Sequence, residues 1–171
     1  TVRRDLQGLE EEGKVIRSYG RVELRTVSDT EVPLLLRESL NNASKQIIAK
    51  KAAKLIHNGN IIFLDASSTV SYLIPHLEKF HDIIVVTPSP KTSILLGQKG
   101  IKHYCTGGRL LTDSVTYVGS KTERFFADFN ADICFFSSRG YTENGMITDS
   151  FELEVDVKKA MLRNAAKCYY L

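Results

Sequence analysis

The feature that most restricts the fold is a set of short, wholly apolar runs separated by helical stretches. Ile61–Leu64, Ile83–Val86 and Ile133–Phe136 each place four apolar residues in succession. Runs of that length read as strands, and strands without polar alternation are buried on both faces. Between them the apolar spacing turns helical. Ile48, Ala49, Ala52, Ala53 and Ile56 share one helix face, with Ser44 placed to cap that helix and Asn58-Gly59 to end it. Segments 70–77, 91–98, 118–126 and 151–164 read as further helices, and 101–105, 114–117 and 167–171 as further strands. Repeated β-α-β units with apolar strands predict a doubly wound, mainly parallel α/β sheet with helices on both faces.

In such sheets ligands bind beyond the carboxyl ends of the strands, so the residues that follow each strand are the candidates. Asp65-Ala-Ser-Ser-Thr69 follows the first strand and leads into a helix. Ser67, Ser68 and Thr69 offer hydroxyls and backbone N–H groups at a helix start, which suits an anion; simple capping is the plainer alternative. Asp65 would repel a phosphate and is better suited to accept from sugar hydroxyls. Thr87 opens a stiff Thr-Pro-Ser-Pro turn after the second strand. Gly107 and Gly108 follow the third, where backbone approaches a ligand closely or merely turns. Asp149, Glu152, Glu154 and Lys158 cluster at the start of the last helix. For Glu154 and Lys158, four residues apart, an exposed ion pair is the alternative to a ligand contact.

The first two dozen residues have a different character. Val2, Leu6 and Leu9 lie at helical steps, Arg3 and Arg4 fall off that stripe, and Gly13 is placed to end the helix. Two short strands around Gly20 would follow, with Arg17 and Arg21 on them. This is the pattern of a recognition helix and wing. Thr1, Arg3 and Arg4 would face the major groove, and Arg17 and Arg21 the phosphate backbone. A solvated amphipathic helix is the competing reading, since Asp5 and Glu10-Glu11-Glu12 nearly cancel the local positive charge.

Composition narrows the classes. At 171 residues, 43% hydrophobic and 25% charged, the chain has enough apolar content for one substantial domain and part of another. A net charge of +3 is too small to argue for nucleic acid without regard to where the arginines sit. No apolar run approaches the roughly 20 residues of a membrane span. Cys105, Cys134 and Cys168 are scattered among apolar residues and read as buried thiols of a reducing compartment. The four histidines form no metal-ligand spacing, so neither a metal nor a cofactor is expected.

Taken together, Thr1-Val-Arg-Arg-Asp-Leu6, Leu9-Glu10, Gly13, Arg17 through Gly20, Ile48-Ala49, Ala52-Ala53, Asp65 through Thr69, Val86-Thr87, Thr106-Gly107-Gly108, Asp149 and Glu152 with Glu154 and Lys158 resemble the DeoR family of bacterial transcriptional repressors. The resemblance covers essentially the whole chain and departs from the family at Arg21, where a second wing glycine is common. It implies a partial winged helix-turn-helix over residues 1–25, a linker and connecting helix over 26–43, and a ribose-5-phosphate-isomerase-like sensor domain over 44–171. Both ends read as truncated, so weak DNA binding is expected of this chain. The resemblance also implies a cytoplasmic, non-enzymatic repressor, an oligomer of identical chains, gated by a phosphorylated sugar or polyol. Ser67, Ser68, Thr69, Gly107 and Gly108 would cradle the phosphate, and Asp65, Asp149, Glu152 and Lys158 would meet its hydroxyls.

The alternative is a sugar-phosphate isomerase or deaminase, for which Asp65 and Asp149 are the candidate bases. A third possibility is a binding domain without DNA function, which leaves the basic start unused.

Overall fold

The computed structural model describes residues 2–11, 15–18, 21–24 and 34–171. The chain divides into two units, Thr1–Glu31 and Val32–Leu171. In the smaller, α1 (Val2–Glu11) precedes an antiparallel hairpin of β1 (Val15–Ser18) and β2 (Arg21–Leu24), registered from Val15 opposite Leu24 to Ser18 opposite Arg21. The expected helix and wing strands are therefore present. The expected stop at Gly13 and the turn at Gly20 lie outside the described residues.

The larger unit opens with α2 (Leu34–Ser39) and α3 (Asn42–Ala52), which lead into β3 (Ile61–Leu64). A 3₁₀ segment, Val70–His76, connects β3 to β4 (Ile84–Thr87), and α4 (Pro90–Gln98) leads to β5 (His103–Cys105). A hairpin of β6 (Arg109–Leu111) and β7 (Thr116–Val118) then precedes α5 (Ser120–Ala127) and β8 (Ala131–Phe136). A second, very short hairpin pairs β9 (Gly140–Tyr141) with β10 (Ile147–Thr148), before α6 (Glu152–Arg163) and β11 (Ala165–Tyr170).

Five strands form one parallel sheet in the order β11-β8-β3-β4-β5. The first strand in sequence, β3, is thus central. The chain winds outward through β4 and β5, returns to β3's other side at β8, and ends at β11. This is the doubly wound arrangement that the apolar runs predict. Its two windings place helices on opposite faces. Ile62, Leu64, Val85, Ile133 and Phe135 pack with α3 and the 3₁₀ segment; Phe63, Val86, Cys134 and Phe136 pack with α5 and α6. Phe63 meets Phe126 edge-on at 4.9 Å. Complete burial of Ile62, Phe63 and Leu64 explains why β3 alternates no polar residues.

Several local expectations are corrected. Ser44 does not cap α3. That helix begins at Asn42, behind Asn41 in the left-handed region (φ 56), while Lys45 Nζ donates to the Arg37 carbonyl and closes α2. Helix α3 gives way to 3₁₀ at Ala53, well before Asn58-Gly59. The segment after Thr69 is 3₁₀ in place of the expected α-helix, and Pro75 lies inside it. Val118 ends β7 and does not start α5. Of the three cysteines only Cys134 is buried; Cys105 is half-buried, and Cys168 is exposed on the edge strand β11.

Candidate functional site

The strand order reverses between β3 and β8, the switch point beyond whose strand ends ligands bind in such sheets. Asp65, the first residue after β3, joins the two ends. Its Oδ1 accepts from the Ser67 N–H and its Oδ2 from the Ser137 N–H, both at 2.9 Å, while its own N–H donates to the Phe135 carbonyl at 3.2 Å. Only 2% of Asp65 is exposed. Burial pushes its carboxyl above the usual carboxylate range, and Lys158, Ser67 and Ser137 act in the opposite sense. Asp65 is therefore first a backbone tie, with its remaining lone pairs toward the cleft.

A shallow, partly open cleft with about 40 Å³ of room for water-sized occupants begins at Asp65. Ser67 borders it beside Asp65, Ser114 and Thr116 come from the β6–β7 hairpin, and Ser137, Ser138 and Arg139 follow β8. Asp149, Glu154 and Lys158 line the opposite side, and Arg37 reaches in from α2. Lys158 Nζ pairs with Asp149 Oδ2, and Arg139 Nε lies 3.4 Å from Asp149 Oδ1. The exposed Glu154–Lys158 pair considered from spacing is thus not what forms: Lys158 turns to Asp149, and Glu154 is buried with its Oε1 lacking a hydrogen-bond partner. Ser114 Oγ is likewise buried without one. Three cations and several hydroxyls around one opening can hold an oxyanion that carries hydroxyl groups.

The sequence-derived candidates divide. Asp65, Ser67, Asp149 and Lys158 share the cleft. Ser68 and Thr69 stand beside it without lining it, and Ser67 Oγ also accepts from the Val70 N–H at 3.3 Å, which is the capping alternative realised. Thr87 is fully buried and accepts from the Ser89 N–H, positioning the cap of α4. Gly107 and Gly108 face α5 instead. Thr122 Oγ1 donates to the Gly107 carbonyl at 2.8 Å, and a Cβ on Gly108 would sit 2.3 Å from that oxygen. Glu152 is exposed at the start of α6, outside the cleft. Among the DNA-facing candidates, Arg4 is exposed on α1; Thr1 and the side chains of Arg3, Arg17 and Arg21 lie outside the described residues.

The sequence does not mark out Arg37, Ser114 and Thr116, and it places Arg139 after a strand without giving it a role. Arg139 was within reach of the strand-end rule, since it stands three residues beyond β8. Arg37 was not, because only the return of α2 against the body brings it there. Among the described residues no cluster of His, Cys, Asp and Glu is arranged to hold a metal ion, and no helix is long and apolar enough to cross a membrane.

A doubly wound sheet with a charged cleft at its switch point, preceded in the chain by a helix and hairpin unit, defines an α/β body joined to a small helix-and-hairpin module. Residues 40–171 match the family model of the DeoR C-terminal sensor domain, and residues 1–27 that of the DeoR-like helix-turn-helix domain. The chain belongs to the DeoR family.

It is 34% identical to the HTH-type transcriptional regulator YulB of Bacillus subtilis over 96% of this chain and 64% of that protein. It is 31% identical to the L-fucose operon activator of Escherichia coli (100% and 71%) and to the HTH-type transcriptional repressor GlcR of Bacillus subtilis (96% and 64%). The chain therefore spans about two thirds of the length of these relatives. Ribose 5-phosphate isomerase from Plasmodium falciparum shares the fold at a TM-score of 0.56 and 16% identity, over 75% of this chain and 50% of that one. The named relatives are regulators and not enzymes, and the isomerase-like body is the sensor domain of this family.

Proposed function

We propose that the protein is a cytoplasmic, operator-binding repressor of sugar or polyol catabolism, gated by a phosphorylated sugar or polyol in the cleft between β3 and β8. One observation carries this reading: Arg37, Arg139 and Lys158 converge with Ser67, Ser114 and Thr116 on one opening at the switch point. The cations suit a dianion, and the hydroxyls and Asp65 suit a polyol chain. Kinship with GlcR supports repression, whereas kinship with the L-fucose operon activator supports the opposite sign on the same architecture. The effector releases DNA only through unequal affinity for two arrangements of the protein, here taken as a homo-oligomer.

The test is a thermal-shift panel of glycerol, fructose, tagatose and deoxyribose phosphates. At about 100 times its Kd, a true effector contributes about 2.7 kcal/mol, which raises the midpoint by roughly 5–10 °C. A panel that leaves the midpoint unmoved refutes the sensor reading. Multiple turnover of any member at an enzymatic rate replaces it with the isomerase alternative.

A further inference from the structure

Asp149 occupies an unusual position for a residue expected to greet a polyol. Its side chain is only 4% exposed, and both carboxylate oxygens are spent on cations of the cleft: Oδ1 toward Arg139 Nε, Oδ2 on Lys158 Nζ. Those two cations come from different elements, the segment after β8 and the second turn of α6. A group that draws both together is an anion, and here the anion is part of the chain.

The charge balance of the cleft sharpens this. Among the described residues that line the cleft, three cations, Arg37, Arg139 and Lys158, face three carboxylates, Asp65, Asp149 and Glu154. A phosphate added to that set without rearrangement leaves it negative in surroundings that screen poorly. One carboxylate has to give way, and the three are not equally free. Asp65 is tied by the N–H groups of Ser67 and Ser137. Glu154 is held on α6 among residues of the core. Asp149 stands on the irregular stretch between β10 and α6, at the root of a two-residue-per-strand hairpin whose backbone hydrogen bonds run within itself, Thr142 N–H to the Met146 carbonyl at 2.9 Å and Gly145 N–H to the Thr142 carbonyl at 2.8 Å. Its other ties to the body, among the described residues, are Ser138 Oγ on the Gly140 carbonyl at 2.8 Å and the Tyr141 ring 6.4 Å from that of Tyr170. Tyr141, Met146 and Ile147 on that hairpin are exposed.

We infer that the anionic group of the effector takes the place of the Asp149 carboxylate between Arg139 and Lys158, so that binding is an exchange of anions that removes the Asp149 tie at the root of the β9–β10 hairpin and loosens the hairpin. The inference rests on the sensor reading above. It reverses the role that sequence assigns to Asp149, from ligand contact to resident competitor. A phosphate is the stronger occupant, because it brings more charge and three acceptor oxygens to the same two donors.

The experiment uses the 171-residue chain with inorganic phosphate and glycerol 3-phosphate as probes, titrated calorimetrically at constant ionic strength. Asp149→Asn keeps the size of the side chain and removes its charge. The expected result is at least tenfold tighter binding of either probe by D149N than by the unsubstituted chain. Amide exchange in residues 140–148 should quicken when phosphate is added to the unsubstituted chain, and should already be quick in D149N. Equal or weaker binding by D149N, with the unsubstituted chain binding normally, overturns the exchange and leaves the sensor reading standing. Binding of neither probe to either protein overturns the exchange, and the sensor reading then stands or falls on the wider panel above. Should D149N not fold, the exchange measurement on the unsubstituted chain decides: slower exchange of 140–148 with phosphate overturns the inference, and faster exchange supports it.

Discussion

Asp65 and Ser137 are 72 residues apart in the chain, yet the Ser137 N–H donates to Asp65 Oδ2 at 2.9 Å and fixes the ends of β3 and β8 side by side. The floor of the cleft is built on that bond and its twin from Ser67. Burial raises the Asp65 carboxyl above its ordinary value of 3.8, so the protonated form is favoured more in the folded than in the unfolded chain. A group raised in this way contributes stability that is full below pH 3.8 and lost as pH rises through its folded-state value. Asp65→Asn removes that dependence. It also sets an amide NH₂ against one of the two backbone donors, at a cost of about 1–3 kcal/mol. Denaturant unfolding from pH 3 to 7 should show the penalty of D65N shrinking as pH rises. A penalty that grows with pH would mean that the backbone donors outweigh burial.

Much of this arrangement is legible in the chain itself. The uninterrupted apolar runs at Ile61, Ile83 and Ile133 report strands with two buried faces, and that alone fixes a doubly wound sheet and points to the strand ends. Asp65, Ser67, Asp149 and Lys158 follow from position. Less visible are features made by distant segments meeting. Arg37 enters the cleft because α2 folds back, with its Glu38 paired to Lys91 and the Glu38 carbonyl accepting from Tyr72. The β9–β10 hairpin has two residues per strand, too few to display alternation. Gly107-Gly108 has the composition of a phosphate loop, but composition does not reveal which neighbour the glycines make room for.

That neighbour is Thr122, which gives a prediction about Gly108. Its φ of 126° disfavours any side chain, and a Cβ would lie 2.3 Å from Thr122 Oγ1 and 3.0 Å from the Val118 carbonyl. Gly108→Ala should destabilise by about 2–4 kcal/mol, the sum of strain and overpacking. Gly59, with φ 80° and open space around it, should lose only about 1–2 kcal/mol as Ala. Effector affinity measured on folded G108A should stay within twofold, because this turn faces α5. A tenfold loss of affinity would return Gly108 to the binding site.

Arg4 stands exposed on α1, the helix proposed to enter DNA. If it meets a phosphate, Arg4→Ala should weaken DNA binding and lower the slope of log K against log salt by about 1. If it reads a base, the loss should amount to about 1–3 kcal/mol and fall on the operator only. Filter binding of R4A to operator and to unrelated DNA over a salt series separates the two, and unchanged binding to both would remove Arg4 from the interface.

Arg37 ties the cleft to α2, the first described element after the wing strands in the chain. Helix α2 is secured at several points: Lys45 on the Arg37 carbonyl, Lys91 on the Glu38 carboxylate, the Tyr72 hydroxyl on the Glu38 carbonyl at 3.2 Å, and the buried Leu34, whose N–H donates to the Asp113 carbonyl at 2.9 Å. Arg37→Ala removes one of the cations that line the cleft. A charge-assisted bond to an effector phosphate is worth about 1.5–3 kcal/mol, so effector affinity should fall roughly ten- to hundredfold. Arg37→Lys should recover part of it, since an ammonium supplies the charge without the planar fork. Hydrogen exchange adds a separate reading: effector should slow the amides of α2 in the unsubstituted chain and not in R37A. Full affinity in R37A would make Arg37 a residue of the cleft wall alone.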